Sequence, residues 1–205
     1  MHPKVIGTDG WATVRKLAGA GLTEGWTLAG GTALALQLGH RISRDLDFFR
    51  PEPFDLEALL HDLAALGRVA VQSRAEGTLH LTLDGLRVSF LLAQAPLLFP
   101  GTPYRDLVLA DPRDIAVMKV IAIGGRGSRK DFVDLFFFLR GGGTLDAVFE
   151  LVRRRSPRLD YNEYHLLRSL VYFDDAETEP MPRLIRRASW REIKAAIVAE
   201  VRRLS

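Results

Sequence analysis

Hydrophobic periodicity changes along this 205-residue chain at Asp111-Pro112, and that change narrows the possible architectures to a few. Upstream, the runs 69–74, 78–83 and 86–92 read as strands, and 78–83 alternates strictly at the period of two expected of a half-buried strand. The last two are joined by Asp84-Gly85, the turn dipeptide that most strongly signals a hairpin. Downstream the period becomes helical. Asp111 is placed as an N-cap and Pro112 as the first helical residue of a helix through Ile123. Gly124-Gly125-Arg126-Gly127 reads as a loop, followed by a helix over 128–140 that Gly141 to Gly143 end. Further helices are predicted over 144–155, 161–172 and 189–204, with residues 174–180 as an exposed acidic loop. Strands grouped before helices predict an α+β fold: a sheet domain over residues 1–110 and a helical part over 111–205 packed on it.

The opening third reads as helix (11–20), strand (26–29), helix (32–41) and a short strand (45–49), with Gly30-Gly31 at the first strand-to-helix turn. Another helix is expected over 54–66, where Leu56, Leu59, Leu60, Leu63 and Leu66 keep helical spacing up to Gly67. Composition decides which chemistries are open. With no cysteine there is no disulfide, thiolate metal site or cysteine nucleophile, so carboxylates, His, Ser/Thr, Lys and Arg must do any chemistry. No apolar run reaches the roughly 18 residues of a membrane span, and the N-terminus lacks a secretory pattern, so a cytoplasmic protein is expected.

The net charge of +3 arises beyond residue 139, where 13 basic residues face 10 acidic ones. Arg supplies 23 of the 28 cations, and its planar fork suits phosphate. Arg153-Arg154-Arg155 and Arg186-Arg187 therefore read either as a grip on a nucleic-acid backbone or as solvated helix ends that complement the dipole.

Asp45 and Asp47, two apart in a run that reads as strand, should project from one face while Leu46 and Phe48 point to the other. Two carboxylates so close repel unless a cation lies between them, which points to a hard divalent ion, Mg²⁺ or Mn²⁺. Upstream, Gly30-Gly31-Thr32 opens a helix, where free N–H groups and the dipole attract phosphate and glycine lets it approach the main chain. Arg44 adjoins the acidic pair as a candidate nucleotide contact.

A second group lies further on. Lys119 sits in an apolar helix, and on the next helix Asp131 and Asp134 share a face, with Lys130 in i, i+4 reach of Asp134. A helical hairpin would bring Lys119 to that face. Two readings stay open: a phosphate-binding lysine with catalytic carboxylates, or a Lys–Asp ion pair that only holds the hairpin, with Ser128 as N-cap and Asp131 in a capping-box-like role. The histidines, among them His40, His61, His80 and His165, are scattered, and no nucleophile turn supports a Ser-His-Asp hydrolase.

Gly31-Thr32 with Asp45-x-Asp47, Lys119 within Asp114-Ile-Ala-Val-Met-Lys119, and Arg129-Lys-Asp-Phe-Val-Asp-Leu135 together resemble the AbiEii/AbiGii toxin family of polymerase-beta-type nucleotidyltransferases. The resemblance spans residues 26–139 and implies a mixed sheet flanked by helices. It implies nucleotide binding by Gly30, Gly31, Thr32, Arg44, Lys119 and Lys130, metal binding by Asp45 and Asp47, and catalytic roles for Asp45, Asp47, Lys119, Asp131 and Asp134. The substrate would be a nucleoside triphosphate, the acceptor tRNA or another macromolecule, and a cognate antitoxin a partner. The wider superfamily places a third carboxylate on a later strand, and Ser89 stands at that position in Leu86-Arg-Val-Ser89. A relative that binds without transferring, and an AMP-adding enzyme acting on protein, are the alternatives that this departure and the unknown acceptor leave open.

Overall fold

The computed structural model describes residues 1–155 and 162–204. In chain order the elements are α1 (Gly7–Gly19), β1 (Thr27–Ala29), α2 (Gly30–Leu38), β2 (Leu46–Arg50), α3 (Leu56–Leu66), β3 (Val69–Ala75), β4 (Thr78–Leu83), β5 (Leu86–Leu92), β6 (Thr102–Tyr104) and β7 (Leu107–Leu109). Helices follow: α4 (Pro112–Arg126), α5 (Arg129–Arg140), α6 (Leu145–Arg155), α7 (Glu163–Leu170), α8 (Asp174–Glu177) and α9 (Trp190–Leu204). The strands form one mixed sheet in the order β3-β4-β5-β2-β1-β7-β6. β2 runs parallel to β5, β1 parallel to β7, and the remaining neighbours are antiparallel.

The expected Asp84-Gly85 hairpin joins β4 and β5, with both turn residues at positive φ. Asp111 caps α4, its carboxylate accepting from the Arg113 N–H, and Pro112 opens the helix. Elsewhere the expectations need correcting. α4 continues through Gly124 and Gly125 to Arg126, so the glycine loop shrinks to Gly127-Ser128; Gly124 is where Leu166 of α7 packs closest, a Cβ there lying 2.4 Å from Leu166 Cδ2. The acidic segment contains α8, and Glu177 pairs with Lys194 and Arg129. β6 and β7, three residues each, were not expected; β7 is fixed by parallel pairing to β1 and by the Ala110 N–H donating to Leu28 O. Tyr161, the expected start of one helix, lies outside the described residues, and α7 begins at Glu163 with Asn162 accepting from the His165 N–H.

Strand pairing divides the sheet into two faces. Leu46, Phe48, Val88 and Phe90 are buried on one, in a cluster that also takes Val14 and Leu17 of α1 and Leu59 and Leu63 of α3. Asp47 and Phe49 of β2 and Ser89 and Leu91 of β5 point to the other face, as the period of two requires. A second apolar cluster begins at Ala116 and gathers side chains from α4 to α9. No helix among the described residues is long and apolar enough to cross a membrane.

Candidate active site

Antiparallel pairing places Ala29 of β1 opposite Asp47 of β2, so the chain turns into α2 directly beside that carboxylate. Gly30 makes the turn at φ +62°, and a Cβ there would sit 2.9 Å from Asp47 Oδ2. Both the dihedral and the close approach call for glycine. Ala29, the residue before the helix, contributes no side-chain cap, so the first turn of α2 presents its N-terminus next to Asp47.

Asp45 and Asp47 flank the buried Leu46 and are themselves half-buried. Burial raises the Asp47 carboxyl above the usual carboxylate range and the Asp45 charge adds to it; the Ser89 hydroxyl and the Lys119 and Lys130 charges pull the other way. Asp45 lies 3.5 Å from Lys130 Nζ and 3.5 Å from Arg87 Nε. Lys130 therefore serves Asp45 and not Asp134, its expected i, i+4 partner, because every oxygen lone pair of Asp134 is already engaged.

Those engagements form a buried hub. Asp134 Oδ1 accepts from Arg41 Nε at 2.6 Å and lies 2.8 Å from His40 Nε2, while Oδ2 accepts from Arg41 Nη2 and from Lys119 Nζ, both at 2.9 Å. Four donors saturate a carboxylate. Burial pushes the Asp134 carboxyl up, but the Lys119 and Arg41 charges, with the hydrogen bonds from Arg41 and His40, outweigh it and hold the group well below the ordinary range. Lys119 also donates to Asp131 Oδ1 at 2.7 Å, and Ser128 Oγ donates to Asp131 Oδ2 at 2.6 Å. Burial lowers the Lys119 ammonium, yet Asp134 and Asp131 raise it overall, so it stays charged. Ser128 sits at the N-cap of α5 as expected but spends its hydroxyl on Asp131 and caps no backbone N–H.

Arg41 and His40 were not singled out as site residues by sequence reading. Their signal was indirect: two polar residues directly after an apolar helix, in a segment 40–42 that hydrogen-bonds to 183–186 and is thereby buried. Gly31 acquires a second explanation from them, since a Cβ there would lie 2.0 Å from Arg41 Nη2. The Arg41–Asp134 pair passes under the first turn of α2 only because Gly31 has no side chain. Thr32 is buried as well; its hydroxyl hydrogen-bonds Ser43 Oγ at 2.8 Å and donates to the Asp45 carbonyl, fixing the approach to β2.

Ser89 pairs in register with Asp47 on one side and with His80 of β4 on the other. Its hydroxyl lies 2.9 Å from His80 Nδ1. The row Asp47, Ser89, His80 thus crosses three strands, with Ser89 where a third carboxylate was expected. Among the described residues no three His, Asp or Glu side chains converge as a metal cage. Two carboxylates that repel across a half-buried gap, with a hydroxyl beside them, still suit a Mg²⁺-type ion, which takes one or two protein carboxylates and completes its shell with water and substrate phosphate.

Arg44 is exposed and lines, with Asp45, Arg87 and Lys16, a polar cavity of about 570 Å³ between α1 and the β4–β5 turn. The C-terminal arginines do not form one free surface. Arg153 is held by Glu150 and Glu163, Arg155 is buried, and Arg186 lies over the Phe137 ring.

Residues 14–96 match the family described as nucleotidyl transferase AbiEii toxin, type IV TA system. The matched stretch contains Gly30 to Thr32, Asp45, Asp47 and Ser89. The chain is 40% identical over 171 residues to an uncharacterized protein of Aquifex aeolicus (strain VF5), covering 81% of this chain and 82% of that one. Its fold is similar to MenT4, a nucleotidyltransferase toxin of Mycobacterium tuberculosis H37Rv, with a TM-score of 0.59 at 19% identity, covering 94% of this chain and 81% of that one. It is also similar to a candidate nucleotidyltransferase from H. pylori, with a TM-score of 0.58 at 15% identity, covering 96% and 95%. At those identities the two structures speak for the shared fold. Residues 14–96 of the chain thus carry the nucleotidyl transferase domain of the AbiEii toxin family, on a fold shared with MenT4.

Proposed function

We propose that this nucleotidyltransferase moves a nucleotide from a nucleoside triphosphate to a hydroxyl of an RNA acceptor, tRNA being favoured, with Mg²⁺ or Mn²⁺ held by Asp45 and Asp47. The observation that carries the reading is the abutment of the α2 N-terminus, turning at Gly30, on the Asp47 carboxylate, with Lys119 and Lys130 close enough to act on its charge. A divalent ion bound there would supply charge neutralisation on the phosphates. The first turn of α2, Gly30 to Thr32, receives phosphate oxygens on its N–H groups. The acceptor oxygen forms a bond to the α-phosphorus, the bond from that phosphorus to the bridging oxygen breaks, and pyrophosphate departs.

Lys119 gives two of its three N–H groups to Asp131 and Asp134, which leaves one for a phosphate oxygen. Asp131 and Asp134, expected in the catalytic group, act on this reading as positioning residues that keep the ammonium charged and aimed. Lys130 and Arg44, exposed near Asp45 as Arg87 also is, meet the phosphates at the rim. The acceptor backbone enters through the polar cavity of about 570 Å³, where Lys16, Arg44 and Arg87 line the way to Asp45. A cognate antitoxin is the partner that the family description implies.

Ser89 favours a second reading, a relative that binds nucleotide without transferring it. One screen separates the two: purified protein with Mg²⁺ and each labelled triphosphate is offered total RNA and total protein, with Asp47→Ala alongside. Labelled RNA that depends on Asp47 supports the proposal; labelled protein makes the enzyme an AMP-type transferase; an unlabelled lysate favours the binding role.

A further inference from the structure

On the sheet face that carries Asp47, the next row along the strands is Phe49, Leu91 and Thr78, paired in register on β2, β5 and β4. It stands one pleat, two residues, beyond the row Asp47, Ser89, His80, an advance of about 6.6 Å. This second row floors a cavity of about 310 Å³. α4 roofs it with Met118, Ile121 and Ala122, immediately next to Lys119. Apart from Thr78 the floor and roof are apolar, and all but the exposed Ala122 at the lip are half-buried. Polar groups are few: the Thr78 hydroxyl, the exposed Gln94 amide, and Arg155, whose guanidinium approaches the carbonyls of Asp114 and Ala95. No carboxylate lines it.

We infer that this cavity is the subsite for the nucleobase of the incoming triphosphate. The inference rests on the proposed phosphate and metal site at Gly30–Thr32 and Asp45/Asp47 and extends it. A triphosphate anchored by its phosphates beside Asp47 has its base one ribose away from the α-phosphorus, which is the scale of one pleat of the sheet. A flat, neutral ring with a hydrogen-bonding edge suits a slot with aromatic and aliphatic walls and an amide and a hydroxyl at its margin. The cavity is at the small end of ligand sites, the size for one base and not for a stretch of polynucleotide. The polar cavity near Asp45 differs in kind, being lined by cations and carboxylates. One is lined by Asp45 and the other by Phe49, at opposite ends of that short run, so base and acceptor need not compete.

The test compares binding of each nucleoside triphosphate with binding of inorganic tripolyphosphate, both with Mn²⁺, by calorimetry on the full chain. Ala122→Trp places an indole over the lip from an exposed position that folding tolerates, and Gln94→Ala removes the exposed amide. The expected result is that Ala122→Trp weakens nucleoside triphosphate binding tenfold or more and leaves tripolyphosphate binding at the parental value, while Gln94→Ala changes the ranking among the four bases. Parental nucleotide affinity in Ala122→Trp overturns the base subsite and leaves the phosphate site standing. Equal losses for both ligands also overturn it, since the substitution would then act on the phosphates. If the parent binds neither ligand, the phosphate reading itself fails and the base subsite falls with it.

Discussion

Asp47 carries a stability cost that its proposed role explains. Its carboxyl is raised by burial above the unfolded value, so the folded state favours the protonated form. That contribution to stability is present below the unfolded pKa and is lost as pH rises through the folded one, leaving the charged side chain as a burden at neutral pH. Asp47→Asn should therefore raise Tm at neutral pH by a few degrees without added metal, with the gain shrinking as pH is lowered through the folded pKa. Mn²⁺ should raise Tm of the parent and not of Asp47→Asn, because a ligand that binds only the folded state stabilises it. Thermal melts over a pH series, with and without Mn²⁺, read both effects. Ser89 gives the complementary case. Ser89→Asp restores a third carboxylate in register with Asp47, which should lower Tm without metal and tighten Mn²⁺ binding by roughly tenfold, since carboxylate count tunes affinity for hard cations. Unchanged Mn²⁺ affinity in a titration would show that Ser89 does not face the metal.

At the scale of the elements, the β1–α2 turn is where the proposed phosphate site abuts Asp47. Gly30→Ala meets both a positive φ and the Asp47 carboxylate, so it should cost about 1 kcal/mol or more in a urea melt and depress nucleotide binding as well. Gly85→Ala, also at positive φ but in open space, should carry the backbone cost alone and leave nucleotide binding at the parental level. Much of this layout was legible in the residues, because it rests on local chemistry: the Asp84-Gly85 turn, the Asp111 cap, and alternation over 46–49 that puts Leu46 and Phe48 on one face and Asp47 on the other. What was illegible depended on distant partners. Three-residue strands such as β7 hold no periodic signal, and β7 exists through pairing with β1. Gly124 stays helical where Leu166 of α7 packs on α4, which outweighs its weak propensity. Arg41 and Asp134 are 93 residues apart in sequence, and no spacing rule links them.

Across the whole molecule, the same hub joins two bodies of apolar packing. One cluster runs from Val5 to Ile115 and the other from Ala116 to Val201, close to the proposed division between a core over 1–110 and a helical part over 111–205. Arg41 and His40 reach across from the first to Asp134 of the second, which also holds Lys119. Asp134 contributes stability that is present above the unfolded carboxylate pKa and is lost only as pH falls through its much lower folded value. Asp134→Ala leaves the buried Arg41 without a carboxylate and Lys119 with Asp131 alone, and should cost about 3–5 kcal/mol in a urea melt at neutral pH. A cost below about 1 kcal/mol would mean that the hub is solvated and does not tie the two parts together. Because Lys119 belongs to that hub, the charge proposed to bind phosphate and the join between the two parts are the same structure.

The central claim is that Asp45 and Asp47, against the Gly30 turn, direct transfer of a nucleotide and not of a terminal phosphate. It is tested most directly by giving the protein and total RNA the same triphosphate labelled at either the α- or the γ-phosphorus, with Asp47→Asn beside the parent. The account predicts label in RNA from the α-position only, released pyrophosphate carrying the γ-label, and no incorporation by Asp47→Asn. Incorporation of the γ-label, or incorporation by folded Asp47→Asn at the parental rate, would contradict it.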